Sequence, residues 1–359
     1  MSSMEVDQEG SSAQLGFRQM AFPPDVLARI APDVSLQRHL AIGLRPSLRG
    51  FNEFKPVEIS EGGLNASGQN TVAGSAIVKS GDTRVVCGIT LGVVEENTVD
   101  QLLENEATNQ ETDGSLSNYT SVYPVVEIAR GRSGAPTDEE MILSQKLYET
   151  ILHNRLVHQD DLKIIVGTSV DGEVIYPDSS SPLLDSDLGE LISKPKKNWS
   201  YVLYAHIKVF SRAGPLFDLC YSALVNALQN TRLPRAFVDD KATDIKIPVR
   251  SRGNFGHLKE SYNLLLDQTI SASLPVHGRL SSSSFGVVSY EAEDSNEPVS
   301  ILLADLEGEA EESCAESKIN VIASNDGELR HVSIVGGGAL ITKQVLKDAL
   351  DISRMRGSN

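Results

Sequence analysis

An α+β architecture with two lobes of similar size is predicted by three observations. β-rich runs occur in hairpin pairs, helices with apolar residues at core spacing follow them, and the 359 residues suffice for two cores. Hydrophobic residues make up 40% and charged residues 23%, the balance of a folded globular chain.

Read in order, residues 1 to about 16 are expected to form a disordered acidic tail. Phe22-Pro23-Pro24-Asp25 then opens a short helix with proline in its first turn. VAGSAIV and RVVCGITLGVV, within Thr71 to Val94, flank the turn-forming Ser80-Gly81-Asp82 and predict a β-hairpin. A strand from Tyr123 to Ile128 leads to Thr137 and Glu140, which have capping-box spacing. The helix they open carries Leu143, Leu147, Tyr148, Ile151 and Leu152 on one face. LKIIVGTSV reads as a buried strand. The Ser, Pro, Asp and Lys content of about 171–198, ending in Lys194, Lys196 and Lys197, reads as a surface loop insertion.

A strand over Tyr201 to Val209 follows, and Gly214-Pro215 starts a helix with Phe217, Cys220, Leu224 and Leu228 inward. Strands are expected near 285–290, 299–304 and 319–323. After them come an Asn325-Asp326-Gly327 turn, a strand from Leu329 to Val335 and a helix from about Ile341 to Met355. The lobes are expected over 17–235 and 236–359.

The formal net charge of −17 excludes nucleic-acid binding through the overall field, since phosphate contact needs clustered Lys and Arg. Cys87, Cys220 and Cys314 have no ligand spacing and read as buried free thiols in a reducing compartment. No apolar run is long enough to cross a bilayer and the first residues are unlike a signal peptide, so a soluble intracellular protein with no membrane contact is expected. His153, His158, His206 and His257 show no HxxxH or HExxH pattern, Gly336-Gly337-Gly338 lacks the Lys-Ser/Thr of a P-loop, and no Gly-x-Ser-x-Gly elbow occurs.

Three stretches stand out in order along the chain: Leu44-Arg45-Pro46-Ser47-Leu48-Arg49-Gly50-Phe51, with Gly74-Ser75-Ala76 and Gly81-Asp82-Thr83-Arg84; Gly214-Pro215-Leu216-Phe217-Asp218, running to Leu233-Pro234; and Leu303 through Val321. Together they resemble the RNase PH family, the first being similar to its opening signature. The resemblance implies two βαβ-type lobes (the ribosomal protein S5 domain 2-like fold), with mixed sheets packed by helices and assembled in a six-membered ring. It is greatest to the ring subunits of the eukaryotic RNA exosome.

The same comparison implies that catalysis is lost. Active relatives hold phosphate with a Gly-Gly-Thr-Arg-Thr-like turn at a helix N-terminus, where free N–H groups favour an anion. Here Pro215 removes a donor, Leu216 takes the guanidinium's place, Phe217 follows, and Asp218 adds negative charge. In the acidic motif Glu312 imitates the first aspartate, but Lys318 replaces the second and opposes a divalent metal. Asp138-Glu139-Glu140 stands where active members carry Arg-Arg-Glu. No catalytic residue, metal or cofactor is therefore expected.

For RNA contact the candidates are Arg45, Arg49, Arg130 and Arg132; pairing with a neighbour's acids is the other reading of Arg45 and Arg49. Glu307 to Glu316 is expected to be a solvated acidic loop. The implied role is a non-catalytic subunit that supports 3′–5′ RNA processing, with sister ring subunits, S1/KH cap subunits, docked ribonucleases and channelled RNA as partners. Nucleus, nucleolus and cytoplasm are the implied locations. The alternative is a phosphate-dependent 3′–5′ exoribonuclease whose site a neighbouring subunit completes.

Overall fold

The hairpin read from Thr71 to Val94 lies at the centre of the largest sheet. In the computed structural model β2 (Val72–Ser80) and β3 (Thr83–Glu96) pair antiparallel, following the short edge strand β1 (Glu58–Glu61). The structure describes residues 22–65, 72–96, 121–131, 134–170, 173–177, 198–238, 247–251, 258–262, 264–290 and 299–358. The expected tail, most of the expected insertion with its three lysines, Arg132 and His257 lie outside these residues.

Alternating Ala76, Val78, Val85, Cys87 and Ile89 are buried, which fixes the hairpin register because a one-residue slip would expose them all. Gly74 is needed for a different reason. A Cβ there would lie 2.7 Å from the carbonyl oxygen of Ala227, so only glycine lets the strand pass that close to a helix.

β4 (Val122–Ile128) runs parallel to β7 (Asn198–Phe210), which pairs antiparallel with β3 and gives the order β1-β2-β3-β7-β4. β9 (Ile247–Ser251) joins β3 in parallel, and β10 (Leu258–Tyr262) pairs with β9. Two helices cover this sheet. α3 (Asp138–Asn154) buries Leu143, Leu147 and Ile151, while α4 (Phe217–Gln229) buries Phe217, Cys220, Leu224 and Leu228. Both faces follow the expected spacing, although α4 begins two residues after Pro215.

A second sheet has the order β11-β8-β5-β6. β5 (Val166–Val170) is parallel to β8 (Arg232–Val238), which pairs antiparallel with β11 (Leu264–Ser273). β6 (Glu173–Ile175) falls inside the stretch expected to be a loop, where it folds back on β5. β8 carries the chain across residue 235, so this sheet joins strands from either side of that position.

The third sheet, β13-β12-β14-β15, is antiparallel throughout. Its strands are β12 (Leu280–Tyr290), β13 (Val299–Ala304), β14 (Ser317–Ser324) and β15 (Leu329–Gly336). α6 (Lys343–Gly357) lays Val345 and Ala349 against Phe285, Val287, Ile319 and Val321.

On the same lobe, α1 (Pro24–Ile30) and α2 (Pro32–Ala41) start with proline in the first helical position, where its missing N–H costs nothing. Leu36 and Leu40 of α2 pack on Val288, Leu303 and Leu306. Each such leucine contributes about 1.5–3 kcal/mol, enough to hold a short N-terminal segment. The acidic stretch expected to be a solvated loop contains α5 (Gly308–Cys314), with Ala310 and Glu311 buried.

Candidate functional site

The residues of the second and third family stretches meet where the start of α4 faces the third sheet. Gly214 sets the approach: a Cβ there would stand 2.5 Å from the carbonyl oxygen of Leu306. The Gly308 N–H donates to the Ala213 carbonyl at 3.0 Å, and the Ala213 N–H to Thr83 Oγ1 at 3.1 Å. The turn before α4 is thereby clamped between the hairpin and the segment leading into α5.

Leu216 and Phe217 are 4% and 6% exposed and belong to the core. Neither offers a polar group to an anion. The Lys146 Nζ lies 4.2 Å from the Phe217 ring centre. Burial lowers the Lys146 pKa, and the charge of Asp218 acts in the opposite sense.

Asp218 is already engaged. Its carboxylate accepts from Ser282 Oγ at 2.5 Å, the Ser284 N–H at 2.7 Å, Ser284 Oγ at 2.8 Å and Asn320 Nδ2 at 3.2 Å. The place where a helix start would hold a phosphate therefore carries a fixed internal anion. Helix dipole and hydroxyl donors both act on that carboxylate.

Beside it, Arg212 bridges Glu139 of α3 at 3.0 Å and Glu312 of α5 at 2.5 Å. These groups are partly exposed, so the pairs add at most about 1 kcal/mol each. Their effect is chemical: Glu312 meets a guanidinium instead of an open metal position. Lys318 is exposed on β14, two residues before Asn320 and so on the same sheet face. A cation there disfavours a divalent ion beside Asp218.

Two arginines have places other than the expected RNA-facing one. Arg45 is 0% exposed, so it has no surface to offer RNA. Its guanidinium pairs with Glu311, also fully buried, and donates to the carbonyls of Ala304 at 2.7 Å and Asp305 at 3.1 Å. Arg49 is held by Glu307 at 3.1 Å and by the Asp305 carbonyl at 2.8 Å. Both pair with acids of their own chain.

Arg130 bonds Glu140 at 2.6 Å. That carboxylate also accepts from the N–H groups of Thr137 and Ile128, and with the Thr137 hydroxyl completes the expected capping box. The Thr137 backbone donor, then that of Ile128, pull the Glu140 carboxyl down to about 2 from 4.5. A depressed carboxyl stabilises the fold fully above the unfolded value, and this contribution is lost as pH falls from about 4.5 through about 2. Glu140→Gln is expected to flatten that limb of the stability curve, read by thermal melts between pH 2 and 5.

Cys87 and Cys220 are buried free thiols, as expected; burial raises both, Cys87 to about 12. Cys314 is only half-buried. Sequence reasoning missed Arg212, Ser282 and Ser284 as parts of this site. Arg212, two residues before Gly214, was within reach; the serines look like ordinary strand residues.

A family model described as 3′ exoribonuclease family, domain 1, matches residues 53–234, just over half of the chain. The chain belongs to this RNase PH family. Among curated RNase PH relatives, it is 24% identical over 225 residues to "Exosome complex component rrp43" of Schizosaccharomyces pombe, covering 63% of this chain and 66% of that protein. It is 23% identical over 221 residues to "Exosome complex component Rrp42" of Methanopyrus kandleri, covering 62% and 65%. The chain thus spans just under two thirds of either relative's length.

Among solved structures, it matches a chain of the "archaeoglobus fulgidus exosome with RNA bound to the active site" with a TM-score of 0.54 and 19% identity, covering 93% of this chain and 97% of the other. A chain of an "Archaeal exosome core" gives the same score and identity, covering 94% and 97%. At this identity the likeness speaks for the RNase PH-like fold, which agrees with the α+β expectation.

Proposed function

We propose that this chain is a non-catalytic ring subunit of an RNA exosome core, of the Rrp43 type, supporting 3′–5′ processing and degradation of RNA. The observation that carries the non-catalytic reading is Asp218. Its carboxylate sits in the turn where phosphate binding would need free donors, and Ser282, Ser284 and Asn320 already saturate it. Arg212 on Glu312 and the exposed Lys318 add the second reason, because neither leaves an open acidic position for a metal. Phosphorolysis depends on positioning phosphate and stabilising charge, and these residues supply neither.

The scaffold role draws support from β15, an edge strand among the described residues, which exposes Val332, Ile334 and Val335. Apolar side chains on an unpaired edge call for a covering partner. In this reading the neighbours are sister RNase PH-like subunits of a six-membered ring. S1/KH cap subunits and docked ribonucleases complete the particle, which threads RNA in nucleus, nucleolus and cytoplasm for ribosomal RNA maturation and RNA turnover. Ile334→Asp is expected to weaken co-purification with the ring at least tenfold, measured by tagged pull-down, with unchanged circular dichroism.

The decisive experiment incubates the chain, and the reconstituted ring, with phosphate, magnesium and single-stranded RNA. No nucleoside diphosphate should be released through this chain's site. Release that disappears on Glu312→Ala would establish instead the phosphate-dependent exoribonuclease completed by a neighbour.

A further inference from the structure

Away from that site, two histidines and an aspartate from distant parts of the sequence converge. His158 and Asp161 lie just after α3, and His277 lies between β11 and β12. One ligand-type atom from each lies within 4.8 Å of those of the others. The His158 and His277 rings stack at 3.9 Å with 14° between their planes, and His277 Nε2 is 2.8 Å from Asp161 Oδ2.

The backbone beneath the trio is fixed. Arg155 ends α3 in the left-handed conformation (φ 50°), turning the chain back toward the sheet. Leu156 and Leu162, both 0% exposed, anchor the two ends of the segment, and a 3₁₀ turn over Asp160–Leu162 holds Asp161. The His277 N–H donates to the Leu156 carbonyl at 2.9 Å, tying the second segment to the first. Groups held on locked backbone can converge on one ion without a large ordering cost.

We propose that His158, Asp161 and His277 form a binding site for a divalent first-row transition ion of the zinc class. Two imidazoles and one carboxylate are the donor types that borderline ions such as zinc select. Metal–ligand bonds of about 2.0–2.2 Å put tetrahedral ligand atoms about 3.3 Å apart and place the ion in the plane of each imidazole, so binding turns the two rings out of their stack while the backbone beneath them stays in place. His158 and His277 also line a cavity of about 620 Å³, which would give the ion's fourth position room for a water. The ion would staple the turn after α3 to the segment entering β12. An unmetallated alternative is a His277–Asp161 ion pair with a stacked neighbour.

Calorimetric titration of the full-length chain with Zn²⁺ separates the two. Uptake of one ion per chain is expected, weakened at least about tenfold by His277→Ala and by Asp161→Asn. His206→Ala, on β7 and outside this cavity, should leave the affinity unchanged. In the wild type, which needs no variant to fold, Zn²⁺ should shift the imidazole ¹⁵N resonances of His158 and His277. Absence of uptake, unshifted resonances for these two rings, or undiminished affinity in a folded His158→Ala/His277→Ala chain would overturn the proposal.

Discussion

Arg45→Ala is expected to lower the unfolding free energy by about 3–5 kcal/mol, the cost of leaving one member of a buried pair without its counter-charge. Arg45 and Glu311 are both fully enclosed, joined through two guanidinium nitrogens, and Arg45 also satisfies the carbonyls of Ala304 and Asp305. Removing it leaves the Glu311 carboxylate without its counter-charge and takes the guanidinium from the Ala304 carbonyl, while the Asp305 carbonyl keeps its bond from Arg49. Glu311→Ala should cost a similar amount. Replacing both by Met and Leu should recover most of the loss, because the desolvation penalty then disappears from both sides. The neighbouring Glu312→Ala should stay within about 1 kcal/mol, since that carboxylate is partly solvated. Urea denaturation can be followed through Trp199, the one tryptophan, which is 8% exposed. Equal losses for Glu311→Ala and Glu312→Ala would show that the buried pair is not the source.

The second large effect is expected at Asp218. Asp218→Ala should cost about 2–4 kcal/mol, because the Ser284 N–H and the polar groups of Ser282 and Asn320 lose a common charged acceptor in a part-buried cleft. Asp218→Asn should not rescue it fully: the amide nitrogen presents a donor where the carboxylate met donors on both oxygens. Faster amide exchange at Ser284, measured by mass spectrometry, should accompany the loss. A loss below about 0.5 kcal/mol would mean that water replaces the carboxylate and that the site is more open than its hydrogen bonds imply.

What could be read from the sequence divides along the range of the interactions involved. Thr137 and Glu140 announce their helix because the capping box is closed within three residues. The faces of α3 and α4 were equally legible, since their spacing is a local property. The strands β8 and β11 were not. RLPRAFV contains a proline and no alternation, and it becomes a strand because β5 and β11 lie on either side. β6 was hidden inside a stretch whose overall composition is that of a loop.

At the site, the apolar run Pro215-Leu216-Phe217 ahead of Asp218 was visible as chemistry, while the partners that saturate Asp218 were not. Ser282 and Ser284 are 64 and 66 residues from it. GEAEESC looked like a solvated loop because its charge suggests water; Glu311 is buried only because Arg45, 266 positions earlier, compensates it. His158 and His277 fit no ligand spacing because they approach through tertiary structure.

That 266-residue separation also orders events during synthesis. Arg45 leaves the ribosome early, and the turn that carries it stays unlocked until Glu311 follows. Closure of the pair therefore works as a late check on the whole chain. A product stalled before β13 keeps an unfastened N-terminal segment, with Leu36 and Leu40 lacking the strand they pack on. Such a product presents an apolar handle to chaperones and proteases until translation is complete.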